Sequence, residues 1–86
     1  MFEKSVKLYN VSQNLMPGGV NSPVRSFKSV SCDPIFIDRG NGAFVFDVDG
    51  NKYIDYVCSW GSNILGHHDS NILLKVKNEI ESGFSY

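Results

Sequence analysis

Apolar positions in the opening stretch keep a helical spacing. Phe2, Val6 and Tyr9 form one series and Leu8, Val11 and Leu15 another, the three- and four-residue steps that align side chains on one face of an α-helix. A helix is therefore predicted over 2–16. Pro17-Gly18-Gly19 ends it, because proline disfavours helical backbone at the residue before it and glycine suits a break. Residues 17–25 carry no useful period and read as a loop, and 26–33 as a polar linker. From 34 to 57 the chain changes to three β-type runs, interrupted by Asn41-Gly42 and Asp49-Gly50. A second loop covers 58–68. Ile72, Leu73, Val76 and Ile80 then return to one helical face, predicting a helix over 70–82 that Asp69 or Ser70 caps and Gly83 ends.

The two Gly-containing dipeptides read as hairpin tips, since a type I′ turn needs positive φ at both central residues. With Asp49-Gly50 as a tip, Asp47 faces Lys52, Phe46 faces Tyr53 and Val45 faces Ile54. With Asn41-Gly42 as the other, Ile37 faces Phe46 and Ile35 faces Val48. Charge then meets opposite charge and apolar meets apolar, the pairings that stabilise a sheet. The expected fold is α+β: an N-terminal helix, a three-stranded antiparallel β-meander and a C-terminal helix.

At 86 residues the chain is at most one small domain, and a chain of this size buries only about two-thirds of its unfolded surface. A net charge of −1 provides no electrostatic footprint for nucleic acid or an anionic membrane. No apolar run approaches the ~20 residues that span a bilayer, and Phe2-Glu3-Lys4 opens no secretory segment. A cytoplasmic location is expected, so isolated Cys32 and Cys58 read as reduced thiols. The stretch Gly83-Phe84-Ser85-Tyr86 brings no closing feature, and the whole reads as the front of a larger protein.

Candidate chemistry centres on G-G-V-N-S-P-V-R, residues 18–25. Pro23 stiffens the arm that carries Arg25, and a planar guanidinium suits two-pronged capture of a carboxylate. Composition alone favours reading Arg25 as a surface arginine. Ser22 can donate to a ligand or organise the turn before Pro23. Trp60, between Ser59 and Gly61, can offer its face to a flat ligand or fill core. His67-His68-Asp69 is a poor metal site because adjacent side chains diverge and no further ligands follow at suitable spacing. Asp47, Asp49 and Asp55 lack the loop length and closing glutamate of a calcium loop and read as hairpin residues. Gly18-Gly19 has neither phosphate-binding glycine pattern.

The run G-G-V-N-S-P-V-R, with F-V-F-D-V-D-G-N-K-Y-I-D-Y-V and S-W-G-x-x-I-L-G-H after it, resembles the N-terminal part of the class III aminotransferase group of fold-type I pyridoxal-phosphate enzymes. The D-G-x-x-Y-I-D hairpin and the L-G-H segment are general to that group. The first run and V-C-S-W-G are similar to its aminomutase branch, which converts glutamate-1-semialdehyde to 5-aminolevulinate, the tetrapyrrole precursor. The resemblance implies pyridoxal 5′-phosphate or its pyridoxamine form in the complete enzyme, a small amino-aldehyde substrate and a homodimer. It implies that Arg25 binds the substrate carboxylate, that Ser22 assists and that Trp60 lines the pocket.

The chain departs from the family at two places. Ser62-Asn63 stands where Pro-Met is usual, removing a residue of fixed φ; Asp69-Ser70 stands where His-Pro is usual. The family's Schiff-base lysine lies far downstream, and none of Lys4, Lys7, Lys28, Lys52, Lys75 or Lys77 matches its motif. Covalent cofactor chemistry needs that amine, so no catalytic residue is assigned in this chain, which is expected to be inactive alone. Two other readings remain: part of an ordinary class III ω-transaminase, and a free-standing β-meander interaction module without catalysis.

Overall fold

The computed structural model describes residues 1–85; Tyr86 lies outside them. The elements are α1 (Glu3–Leu15), β1 (Ile37–Asn41), β2 (Phe44–Asp47), β3 (Lys52–Ile54) and α2 (Ser70–Ile80), with short 3₁₀ turns in the loops. The strands form one sheet in the order β1-β2-β3, the meander expected from the two Gly-containing turns. The chain divides into two units. One comprises residues 1–39 with 46–52, and the other residues 40–45 with the chain from Tyr53 onward.

In the first unit, α1 begins without a capping side chain of its own, because Phe2 at the N-cap has no acceptor. The cap arrives from the β2–β3 hairpin. Asp49 Oδ1 accepts the Lys4 N–H at 2.7 Å and Oδ2 the Ser5 N–H at 2.9 Å, satisfying two of the donors every helix leaves unpaired at its start. Negative charge there also opposes the helix dipole. The side of α1 that is covered is not an apolar stripe. Ser5 is fully buried and Ser12 nearly so, whereas Val11 and Leu15 are exposed. Serine lets backbone come close: Ser5 Oγ accepts the Phe36 N–H at 3.2 Å.

The hairpin differs from the expected two-residue turn. Asp47 N–H donates to Asn51 O at 3.1 Å, and Gly50 N–H donates to Asp47 O at 3.1 Å. Asp47 thus faces Asn51, and the expected partners Lys52, Tyr53 and Ile54 each move by one position. The cause is a three-residue loop closed by Gly50 at φ 91°, the form in which a type I turn precedes a left-handed glycine. Asp47 fixes that loop, its Oδ1 accepting the N–H groups of Asp49 and Asn51 at 3.0 and 2.8 Å. On the other side of β2, Val48 N–H donates to Phe36 O at 2.9 Å rather than facing Ile35. The ring facing of Phe46 also differs from the expected Ile37, for the Arg39 guanidinium lies 3.7 Å from its centroid, a cation–π contact.

In the second unit, Asp55 N–H donates to Ala43 O at 2.9 Å, carrying the same shifted register. The helix α2 is capped by Asp69, whose Oδ1 accepts the Asn71 and Ile72 N–H groups at 3.1 and 3.0 Å. Gly83, at φ 93°, follows its end. The face expected to be buried is open: Ile72, Val76 and Ile80 are exposed, and among the described residues no large hydrophobic side chain is buried.

Candidate functional site

Within the first unit, Pro17 opens a turn in which Gly18 and Gly19 both hold positive φ, 70° and 71°. The close approach these glycines permit is to α1 itself. A Cβ on Gly19 would lie 2.8 Å from Tyr9 Cε2 and 2.9 Å from Gln13 Cγ, and Ser12 Oγ donates to Gly19 O at 2.8 Å. This anchored glycine starts the segment that ends in Arg25. Pro23 begins a second 3₁₀ turn, Pro23–Ser26, closed by Arg25 N–H to Ser22 O at 3.0 Å and Ser26 Oγ to Pro23 O at 2.7 Å. The Arg25 side chain is exposed, and its Nη1 donates to Asn21 Oδ1 at 2.9 Å. One of five N–H donors is used to orient the plane, and the fork keeps donors for a carboxylate. Ser22 shares the turn, half-buried, and its side chain makes no capping bond.

Trp60 belongs to the second unit. There a cleft of about 330 Å³ is lined by Gly42, Ala43, Asp55, Cys58, Gly66 and His67, among others. At its floor His67 Nε2 lies 2.6 Å from Asp55 Oδ2. Asp55 Oδ1 accepts the N–H groups of Val57 and Cys58 at 2.9 and 3.2 Å. The hydrogen bond from His67, seconded by that of Cys58, outweighs desolvation and holds the Asp55 carboxyl below its ordinary range. His67 also pairs both ways with the Gly42 backbone at 2.8 Å. A Cβ on Gly40 would fall 2.4 Å from His67 Cγ, so glycine at 40 makes room for the imidazole.

Between Asp55 and His67 the backbone is strained. Cys58, Ser59 and Trp60 follow one another at φ 51°, 50° and 60°, each costing about 1–2 kcal/mol for a residue with a Cβ. The loop presents Trp60 to solvent, 88% exposed. Ser62, where the resemblance leads one to expect proline, sits at φ −80°, near the value proline would impose, and its N–H donates to Cys58 O. Its Oγ donates to Ser59 O at 3.0 Å. Hydrogen bonds here take over from a ring constraint. Likewise Asp69, where the resemblance leads one to expect histidine, supplies a helix cap where a proline at the next position would start the helix.

Of the three residues singled out for binding, Ser22 and Arg25 share one turn, and Trp60 stands in the other unit. His67, His68 and Asp69 diverge: to Asp55, to solvent and to the start of α2. Asp47 and Asp49 serve the hairpin and α1. Asp55 does more than a hairpin residue, and its pairing with His67, twelve positions on, has no short-range sequence signal. All six lysines are exposed, and none lines the cleft beside Asp55 or the one beside α2. These residues do not fit the covalent anchoring of an aldehyde cofactor, which needs a lysine held in a site.

A model of the family described as aminotransferase class-III matches residues 27–85. The glutamate-1-semialdehyde 2,1-aminomutase 2 of Halalkalibacterium halodurans is 58% identical over 85 residues, covering 99% of this chain and 20% of that protein. A solved structure described as a transaminase with PLP bound matches with a TM-score of 0.85 at 32% identity, over 100% of this chain and 20% of its own. A glutamate-1-semialdehyde aminomutase structure from Pseudomonas aeruginosa PAO1 matches at TM-score 0.81 over 98% of this chain and 18% of its own. At 19% identity that last likeness is one of fold. The chain spans about a fifth of the length of the curated relatives it matches.

Proposed function

The chain belongs to the class III aminotransferase family, and we propose that it forms the carboxylate-recognising N-terminal portion of a glutamate-1-semialdehyde 2,1-aminomutase. In that reading the complete protein isomerises glutamate-1-semialdehyde to 5-aminolevulinate for tetrapyrrole synthesis, as a cytoplasmic homodimer. Pyridoxal 5′-phosphate or its pyridoxamine form would supply the amino-group chemistry in the complete protein. The present residues act on the substrate. Arg25 grips its carboxylate with two parallel N–H···O bonds, Ser22 donates a further hydrogen bond, and Trp60 offers a flat wall that excludes water. The observation that carries this reading is the Arg25–Asn21 bond of 2.9 Å, which pre-orients a solvent-facing guanidinium on a proline-stiffened turn.

The transaminase match at 32% identity supports a second reading, a class III ω-transaminase. The aminomutase relative at 58% identity favours the first. Joining this chain to the remaining four-fifths of the Halalkalibacterium halodurans protein and assaying the product decides between them. Formation of 5-aminolevulinate from the semialdehyde without an external amino donor supports the aminomutase. Turnover only when an amine donor is added overturns it.

A further inference from the structure

The excursion between Asp55 and His67 is held by polar contacts, those at its base and the hydrogen bonds within it from Trp60 N–H to Val57 O and from Asn63 N–H to Cys58 O, both 3.0 Å. Trp60 is 88% and Ile64 86% exposed, so burial of these large side chains does not fix it. Yet Cys58, Ser59 and Trp60 remain consecutively left-handed, a state that persists only where the surroundings impose it. The Asp55 carboxylate divides its oxygens between the two ends. Oδ1 takes the Val57 and Cys58 N–H groups at the entry, and Oδ2 meets His67 Nε2 at the exit, 2.6 Å away. His67 is braced from behind by its paired bonds with Gly42 and by the space that Gly40 leaves for its ring. The Cys58 thiol turns back onto the same residue, its Sγ donating to the Asp55 carbonyl at 3.5 Å.

We propose that Asp55 and His67 form a clasp that closes the loop 56–66 and sets the direction of Trp60, so that both are positioning residues for the ligand-facing side of this unit. The purpose of the clasp rests on the reading of Trp60 as substrate-facing; its existence does not.

The test uses the protein completed as above, without substrate and read by labelling rather than turnover, so failure here is distinct from failure of the proposed function. Cys58 alkylation by iodoacetamide is followed by mass spectrometry, with exposed Cys32 as internal reference. Near-ultraviolet circular dichroism, read as the difference from a Trp60→Phe reference, reports on Trp60, the lone tryptophan of these 86 residues. In the native chain Cys58 reacts more slowly than in urea. Asp55→Ala and His67→Ala each speed it by about tenfold, the loss expected for a charge-assisted hydrogen bond, and both remove the Trp60 signal. The double variant is no faster than either single one. His67→Gln, whose amide can still donate to Asp55, recovers part of the protection. A purely structural role would move the far-ultraviolet helical signal together with the labelling; the clasp leaves it unchanged. If His67→Ala unfolds, Gly40→Ala decides, since it displaces the ring while leaving both partners intact. Native Cys58 reacting at the urea rate, additive single effects, or an unchanged Trp60 signal in variants that label faster would each overturn the clasp.

Discussion

Asp49 Oδ2 accepts the backbone N–H of Ser5 at 2.9 Å across forty-four positions of sequence. With the adjacent Lys4 bond, a hairpin loop caps a helix that has no cap of its own. Burial works against the ionised carboxylate, but the Lys4 and Ser5 hydrogen bonds outweigh it and hold its pKa below the ordinary value. The contribution is therefore complete above the unfolded value of about 3.9 and is lost as pH falls through the lowered folded value. The amide-proton shifts of Lys4 and Ser5 should follow that titration, and Asp49→Ala should abolish it. Unchanged shifts in Asp49→Ala would show that the cap is not formed in solution.

Gly19→Ala should destabilise more than Gly42→Ala. Both glycines have positive φ, but a Cβ at 42 meets nothing within 4 Å, whereas one at 19 strikes Tyr9 and Gln13. The steric excess should be about 1–3 kcal/mol, the usual range for overpacking. Denaturation midpoints of the two variants in the protein completed as above measure it; equal midpoints would remove the proposed helix–loop contact.

Arg25→Ala in that completed protein should lower kcat/KM by about 10-fold to 150-fold, the effect of losing a hydrogen bond to a charged group. Arg25→Lys keeps the charge without the planar fork and should fall between. Cofactor absorbance should be unchanged in both. Loss of cofactor with an occupancy-corrected kcat/KM near that of the parent would make Arg25 structural.

The isolated chain should form no specific internal aldimine. Incubation with pyridoxal 5′-phosphate, borohydride reduction and peptide mapping should give weak label scattered over the exposed lysines. Stoichiometric label on one lysine would mean that an anchoring site is present after all.

Hydrophobic dye should bind the isolated chain strongly, because Leu15, Trp60, Ile64 and Phe84 are each more than three-quarters exposed, at 77, 88, 86 and 78%. A monomer with a sharp thermal transition and no dye binding would favour the free-standing module instead.

Much of this architecture is local and could be read from the sequence. The helix breaks at Pro17, the glycine turns and the Asp69 cap each depend on residues within a few positions of one another. The register expected from sequence differs by one because Asp49-Gly50 fits two hairpin geometries, and the choice turns on Asp47 binding the loop N–H groups. The buried Ser5–Ser12 stripe was hidden because helical periodicity highlights apolar positions, while this packing uses small size. The caps and clasps made by Asp49 and Asp55 join residues distant in sequence, and no spacing rule links a carboxylate to a backbone N–H forty-four positions earlier.

That remote cap also orders events in time. On a ribosome, Lys4 and Ser5 emerge well before Asp49, and at 5–20 residues per second the wait is roughly 2–9 s. A short helix with its first turn unsatisfied frays readily in water. Nascent α1 is therefore a transient helix that becomes durable only when the hairpin is made. Lengthening stalled chains until Asn51 has cleared the ribosome should turn on its protection in a single step.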